Sequence, residues 1–142
     1  GRCDFVVGSR LRGEREKGSM TAHQLFAGRL IGAALRLLYG VRYTDMCPFR
    51  AIRRNMLMDL RMREETYGWN LEMQMRAVQG GLRILELPVP HRRRAGGASK
   101  VSGNLRGTLK ASSRIVATFL RIATEGHGRA SRTASSSRRQ LR

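Results

Sequence analysis

WNLEMQMRAVQGGLRILELPVPHRRRAGGASKVSG, from Trp69 to Gly103, lays down a helix, a strand and a loop in succession. Trp69 to Gln79 reads as a helix that ends at Gly80-Gly81, because glycine just past the last periodic residue stops helical propagation. Leu82 to Val89 then reads as a buried strand. It empties into a basic, glycine-rich loop in which Gly96 and Gly97 let the backbone come close to a ligand. Arg94, Ser99 and Lys100 in that loop supply charge-assisted donors, and the ligand such a set suits is a phosphate.

Upstream, Asp4 to Gly8 reads as a short buried strand, and Ser9 to Ser19, rich in Gly, Ser and mixed charge, as a loop. From Thr21 the period changes. Ala27, Leu30, Ile31, Ala34, Leu35 and Leu38 fall on one face of a helix that Gly40 stops. Val41 to Thr44 and Phe49 to Ile52 are extended candidates around the Pro48 turn, and Asn55 to Arg63 reads as a short helix capped by Asn55. Strand and helix alternating over this span indicate an α/β layer architecture.

Downstream, Leu105 to Ala123 reads as a basic amphipathic helix. Arg106, Lys110, Arg114 and Arg121 project within about 80° of one another at 3.6 residues per turn, opposite Leu105, Leu109, Val116, Phe119 and Ala123. Such a helix either covers a core or lies in an anionic bilayer surface. After Thr124 the chain is Gly, Ser, Arg and Thr without apolar periodicity, so disorder is expected from about Glu125 onward.

The chain has 142 residues, which suits one domain with a modest core. Its first residues run into a strand with no start methionine and no signal peptide, so it reads as a piece of a longer protein. The net charge is +18, and 25 of the 28 basic residues are arginine. Residues 91–142 hold 13 basic and 1 acidic side chain against 15 and 9 in residues 1–90, so the excess is C-terminal. That excess admits a basic nucleic-acid-binding module. The absence of a nucleic-acid motif, and of aromatics to interleave with the charge, argues against it. Cys3 and Cys47 form no CxxC, and His23, His91 and His127 are scattered, which argues against a zinc site. The apolar runs are far shorter than the ~20 residues a membrane-spanning helix needs.

The loop, with GSR at Gly8 to Arg10, TDMCPFRAIRR at Thr44 to Arg54 and the W-x-x-E of Trp69 to Glu72, resembles the C-terminal half of family-2 inverting glycosyltransferases. The polyprenyl (dolichyl) phosphate sugar transferases and their bacterial relatives are the members it is most similar to. The resemblance covers about Asp4 to Leu120 with the motifs in family order, and the R-x-G-G-x-S-K of Arg94 to Lys100 is the most specific of them. It implies the acceptor-side half of a GT-A type, Rossmann-like domain over residues 1–104. An amphipathic helix over 105–124 and a disordered Arg/Ser-rich tail over 125–142 would follow. The DXD pair that would hold Mg2+ or Mn2+ and the nucleotide-binding N-terminal strands have no counterpart in this chain. Alone, therefore, the chain is expected to bind no metal and not to catalyse.

By the same resemblance Arg10 faces the acceptor phosphate, and Asp45 is the catalytic or organising carboxylate, with Arg50 as a nearby pairing partner. Glu72 stands where these enzymes put a general base. Arg94, Gly97, Ser99 and Lys100 would close over phosphates and neutralise the departing nucleoside diphosphate. Plainer readings stand beside these. Arg10 is then a solvated loop arginine, Asp45 an acceptor for turn N–H groups, Glu72 half of an i,i+4 ion pair with Arg76 on a solvated face, and Trp69 a core aromatic. Glu86 is expected to anchor neighbouring backbone or an arginine. A phosphate acceptor is already an anion and needs no base, and Met73 stands where a second acidic residue often follows the Glu. The implied function is transfer of a hexose from a nucleotide sugar to a polyprenyl phosphate with inversion. The implied setting is peripheral, on an anionic membrane surface at its cytoplasmic face. Transfer to a soluble hydroxyl acceptor is the alternative.

Overall fold

A computed structural model describes residues 2–93, 95–96 and 105–139, with side chains for those up to 126 other than Leu105. Its centre is β1 (Phe5–Ser9), whose Phe5 and Val7 are fully buried. The β-branched and aromatic side chains of this stretch suit a pleated surface packed on a core. β1 is flanked on one side by β2 (Arg50–Ile52), antiparallel, with Val6 opposite Ala51. On the other side β3 (Ile84–Pro88) runs parallel to it, with Phe5 opposite Ile84 and Ser9 opposite Pro88. The sheet order is β2-β1-β3. Because β1 and β3 are parallel and in this register, the chain segments after Ser9 and after Pro88 leave the sheet side by side.

The connections are helical. α1 (Ala22–Tyr39) starts at Thr21, whose backbone N–H donates to Gln24 Oε1 at 3.0 Å. It ends at Gly40, which takes φ 70, a left-handed conformation that glycine adopts without a Cβ penalty. α2 (Arg54–Asp59) follows β2 directly. Arg53 stands at its N-cap, so Asn55 lies inside the helix and does not cap it. Val41 to Thr44 forms no strand; side chains hold it in place. α3 (Trp69–Gln79) has the expected bounds.

The core joins Phe5, Val7, Leu35, Tyr43, Leu60, Leu71, Met73, Met75, Ala77 and Ile122. Burying a Leu, Phe or Met side chain contributes about 1.5–3 kcal/mol, and α3 contributes Leu71, Met73, Met75 and Ala77 to this core. Two expectations change at the edges. β3 is not buried on both faces: Leu85 and Leu87 are 43% and 44% exposed, since β3 is an outer strand and no described element covers that face.

α4 (Leu105–Arg139) also differs, running past the expected end at Ala123 through the stretch read as a disordered tail. That stretch contains no proline to stop the helical ladder. α4 packs on α3, and its Ala111, Thr118 and Ile122 are buried, while Leu109, Val116 and Leu120 are exposed. The apolar residues therefore divide into two stripes, with Ile115, Phe119 and Ile122 on the core side. Gly68 makes the close approach possible: a Cβ there would run into the Thr118 side chain and come within 2.9 Å of Glu64 Cγ.

Candidate functional site

Ligands of open α/β sheets bind in the crevice outside the carboxyl ends of the strands, and here that edge holds Arg10 and Asp45. Arg10 is the first residue after β1. Its Nε donates to Asp45 Oδ2 and its Nη2 to Asp45 Oδ1, both at 2.7 Å, and its backbone N–H donates to Oδ2 at 3.0 Å. Asp45 is 4% exposed. Burial pushes its carboxyl upward, yet the donations from the Arg10 guanidinium and backbone outweigh that and hold the pKa below its ordinary value. Reciprocally, the hydrogen bonds to Asp45 raise Arg10.

Three further bonds lock the segment that presents Asp45. Ser9 Oγ and Thr44 Oγ1 are 2.6 Å apart, the Thr44 backbone N–H donates to Glu86 Oε1 at 2.9 Å, and Gln74 Nε2 donates to the Asp45 carbonyl at 3.0 Å. Glu86 thus anchors backbone as expected, and it also takes an ion pair from Arg12 at 3.9 Å. β1, β3 and α3 together aim one carboxylate from an irregular segment. A cavity of about 170 Å3 opens beside the pair, walled by Arg10 and Asp45, by His23 and Gln24 from the first turn of α1, and by Thr108 and Ser112 from α4. The two side-chain donations to Asp45 use Nε and Nη2, and among the described residues the Nη1 amino group of Arg10 has no hydrogen-bond partner.

Arg50 does not pair with Asp45. It donates to the Cys47 carbonyl and, at 3.1 Å, to the Asn70 carbonyl, with its guanidinium 5.8 Å from the centroid of Trp69. Trp69 is 36% exposed, a platform for Arg50 at the rim of the core. Desolvation brings Arg50 down to about 10.

Glu72 lies elsewhere and lines neither this cavity nor any contact with Arg10 or Asp45. It is fully buried and accepts from the backbone N–H groups of Arg63 at 3.1 Å and Glu64 at 2.5 Å, from Arg76 Nε at 2.7 Å and from Arg121 Nη2 at 3.4 Å. The i,i+4 pairing with Arg76 is present, but on a buried face rather than a solvated one. Burial pushes Glu72 up and these donors bring it below its ordinary value.

Glu64, which the sequence did not single out, is the second carboxylate of this hub. It takes Arg114 Nε on both oxygens at 3.0 and 3.1 Å, Thr118 Oγ1 at 3.0 Å and Thr66 Oγ1 at 2.5 Å. Burial opposes its charge, but these bonds lower its pKa to about 2. The only signal for it was a Glu beside a Thr two residues on, which is common in any turn. Arg94, Gly97, Ser99 and Lys100, the expected phosphate loop, lie outside the described residues. Among the described residues no three His, Cys, Asp or Glu side chains converge.

Over 75 residues, 53% of the chain, the sequence is 42% identical to an uncharacterized glycosyltransferase of Mycobacterium bovis. It is similar to the same extent to uncharacterized glycosyltransferases from two strains of Mycobacterium tuberculosis. The matched stretch spans about a third (34%) of the length of each of these curated relatives. No family model matches the chain, and no solved structure does.

Proposed function

We propose that this chain is the acceptor-side part of a family-2, GT-A type glycosyltransferase that moves a hexose from a nucleotide sugar to a polyprenyl phosphate with inversion. The observation that carries the reading is the Arg10–Asp45 pair at the carboxyl ends of the parallel strands, beside a cavity. The mycobacterial relatives support glycosyl transfer in general. In the proposed reaction an oxygen of the acceptor phosphate attacks the anomeric carbon as the bond from that carbon to the nucleoside diphosphate breaks, and the electron pair leaves with the diphosphate. Arg10, oriented by Asp45, holds the acceptor phosphate through its remaining N–H groups. Such preorganised donors act without reorganising during the reaction.

Glu72 is assigned to positioning, since a fully buried carboxylate with four donors has no lone pair turned to a substrate hydroxyl. That favours a phosphate acceptor over a soluble hydroxyl one. In this reading Mg2+ or Mn2+ would be held by a DXD pair on another segment. The proposed setting is peripheral, on an anionic membrane surface at its cytoplasmic face; the exposed stripe Leu109, Val116 and Leu120, with Lys110 beside it, supports the surface contact.

The test is a transfer assay with the complete open reading frame, using radiolabelled GDP-mannose or UDP-glucose and an organic-extractable polyprenyl phosphate. Label entering the lipid phase, and lost in Asp45→Asn, supports the reading. Label that enters only water-soluble products sinks the polyprenyl phosphate assignment.

A further inference from the structure

Arg10 is also one wall of a second, larger groove of about 970 Å3. Its other basic walls are Arg15 from the loop after β1, Arg29 and Arg36 from α1, and Arg42 from the segment after α1, and among the described residues no acidic one lines it. None of these four side chains makes an ion pair or hydrogen bond among the described residues, whereas Arg12, Arg53, Arg63, Arg76, Arg83, Arg93, Arg114 and Arg121 all have carboxylate partners. All four are exposed. Like charges gathered in one concavity repel each other and focus a positive potential, and an anion relieves both.

The groove is built rather than collapsed, because close backbone contacts set its walls. A Cβ on Gly32 would run into the Tyr43 carbonyl, and one on Gly13 would run into the Val89 backbone. Helix α1 is thus seated directly on the Val41 to Thr44 segment, and the loop of Gly13 on the chain after β3. Leu11, Ala33 and Leu37 give the same groove an apolar flank.

We propose that this groove is a second phosphate site, formed by Arg15, Arg29, Arg36 and Arg42, that binds a phosphate ester through bidentate guanidinium contacts. It is distinct from the role given to Arg10 at the Asp45 pair and does not depend on the transferase reading. Arginine is suited to it because its planar fork matches phosphate oxygens in pairs.

The experiment uses the full chain and two probes near physiological salt: inorganic pyrophosphate by calorimetry, and phosphatidylglycerol against phosphatidylcholine vesicles by cosedimentation. The variants are Arg29→Gln with Arg36→Gln, Arg42→Gln alone, and Arg54→Gln with Arg61→Gln as a charge-matched control away from the groove. The expected result is a loss of about tenfold or more in the first pair, because each removes a charge-assisted contact, with melting temperature unchanged and the control unaffected. Loss confined to pyrophosphate identifies a soluble phosphate ester. Loss confined to phosphatidylglycerol identifies a lipid headgroup. If the paired α1 variant melts early, Arg42→Gln, which lies outside the helix, decides by the same criterion. The proposal is overturned if neither probe binds, if binding survives the groove substitutions, or if the control weakens it equally.

Discussion

Arg10 and Asp45, separated by 35 residues in sequence, meet in a two-point ion pair with both contacts at 2.7 Å and a third donation from the Arg10 backbone. The pair ties the end of β1 to an irregular segment that has no strand partner of its own. It therefore serves the fold and the candidate site together, and the two roles separate by measurement.

Asp45→Ala leaves a part-buried guanidinium without its carboxylate and is expected to destabilise the fold by about 3 kcal/mol. Arg10→Ala with Asp45→Ala should cost less than the sum of the two singles, since the double variant strands no charge. Denaturant midpoints of the four proteins form the cycle. Additive losses would show that the pair is not coupled. Arg10→Lys should preserve most stability but lose the bidentate geometry, lowering transfer by about 100-fold if two or more oriented contacts act in the transition state.

Acid sensitivity follows from three carboxylates. Asp45, Glu64 and Glu72 are all below their ordinary values when folded, burial opposing and hydrogen bonds from arginines and backbone prevailing. A depressed folded pKa means the unfolded chain binds protons first, so the stability these groups contribute is present above the unfolded pKa and lost as pH falls. For Glu64 the window runs from the ordinary 4.5 down to about 2. Arg114→Gln with Thr118→Val removes two of its donors and should move the acid-unfolding midpoint upward, read by circular dichroism. An unchanged midpoint would show that Glu64 does not hold α4.

Two glycines four residues apart in α1 should respond with opposite signs. Gly28→Ala meets nothing within 4 Å and should stabilise by about 0.5–1 kcal/mol, because alanine reduces the entropy of the unfolded chain. Gly32→Ala drives a methyl into the Tyr43 carbonyl and should destabilise by about 1–3 kcal/mol through overpacking. Thermal melts of both variants settle the seating of α1.

On α4 the exposed and buried stripes predict a similar split. Val116→Glu with Leu120→Glu should leave stability within about 0.5 kcal/mol, as surface changes do. Ile122→Glu, at a fully buried position, should unfold the α3–α4 layer. Phe119 packs against the core, so Phe119→Glu belongs with the second group rather than with the exposed face. Equal melting temperatures for Val116→Glu and Ile122→Glu would mean that the helix is rotated from the orientation described.

What the sequence determined by itself is local. The bounds of α3, the start of α1 after Thr21 and its stop at Gly40, and the strand at Phe5 were legible because periodicity, caps and glycine act within a few residues. The GSR arginine, Asp45 and Glu86 were also legible as residues of interest, from motif order and from their places at strand ends. Tertiary structure decided the partners. Arg10 rather than Arg50 takes Asp45, Glu64 joins Glu72 in a buried hub, and four arginines with no partner among the described residues gather around α1, because each contact spans tens of residues and depends on how strands and helices are laid together. It also decided which stripe of α4 faces inward. A helix with apolar residues on two faces carries no local signal to choose between them; the close approach allowed by Gly68, and the carboxylate of Glu64 waiting for Thr118 and Arg114, make that choice.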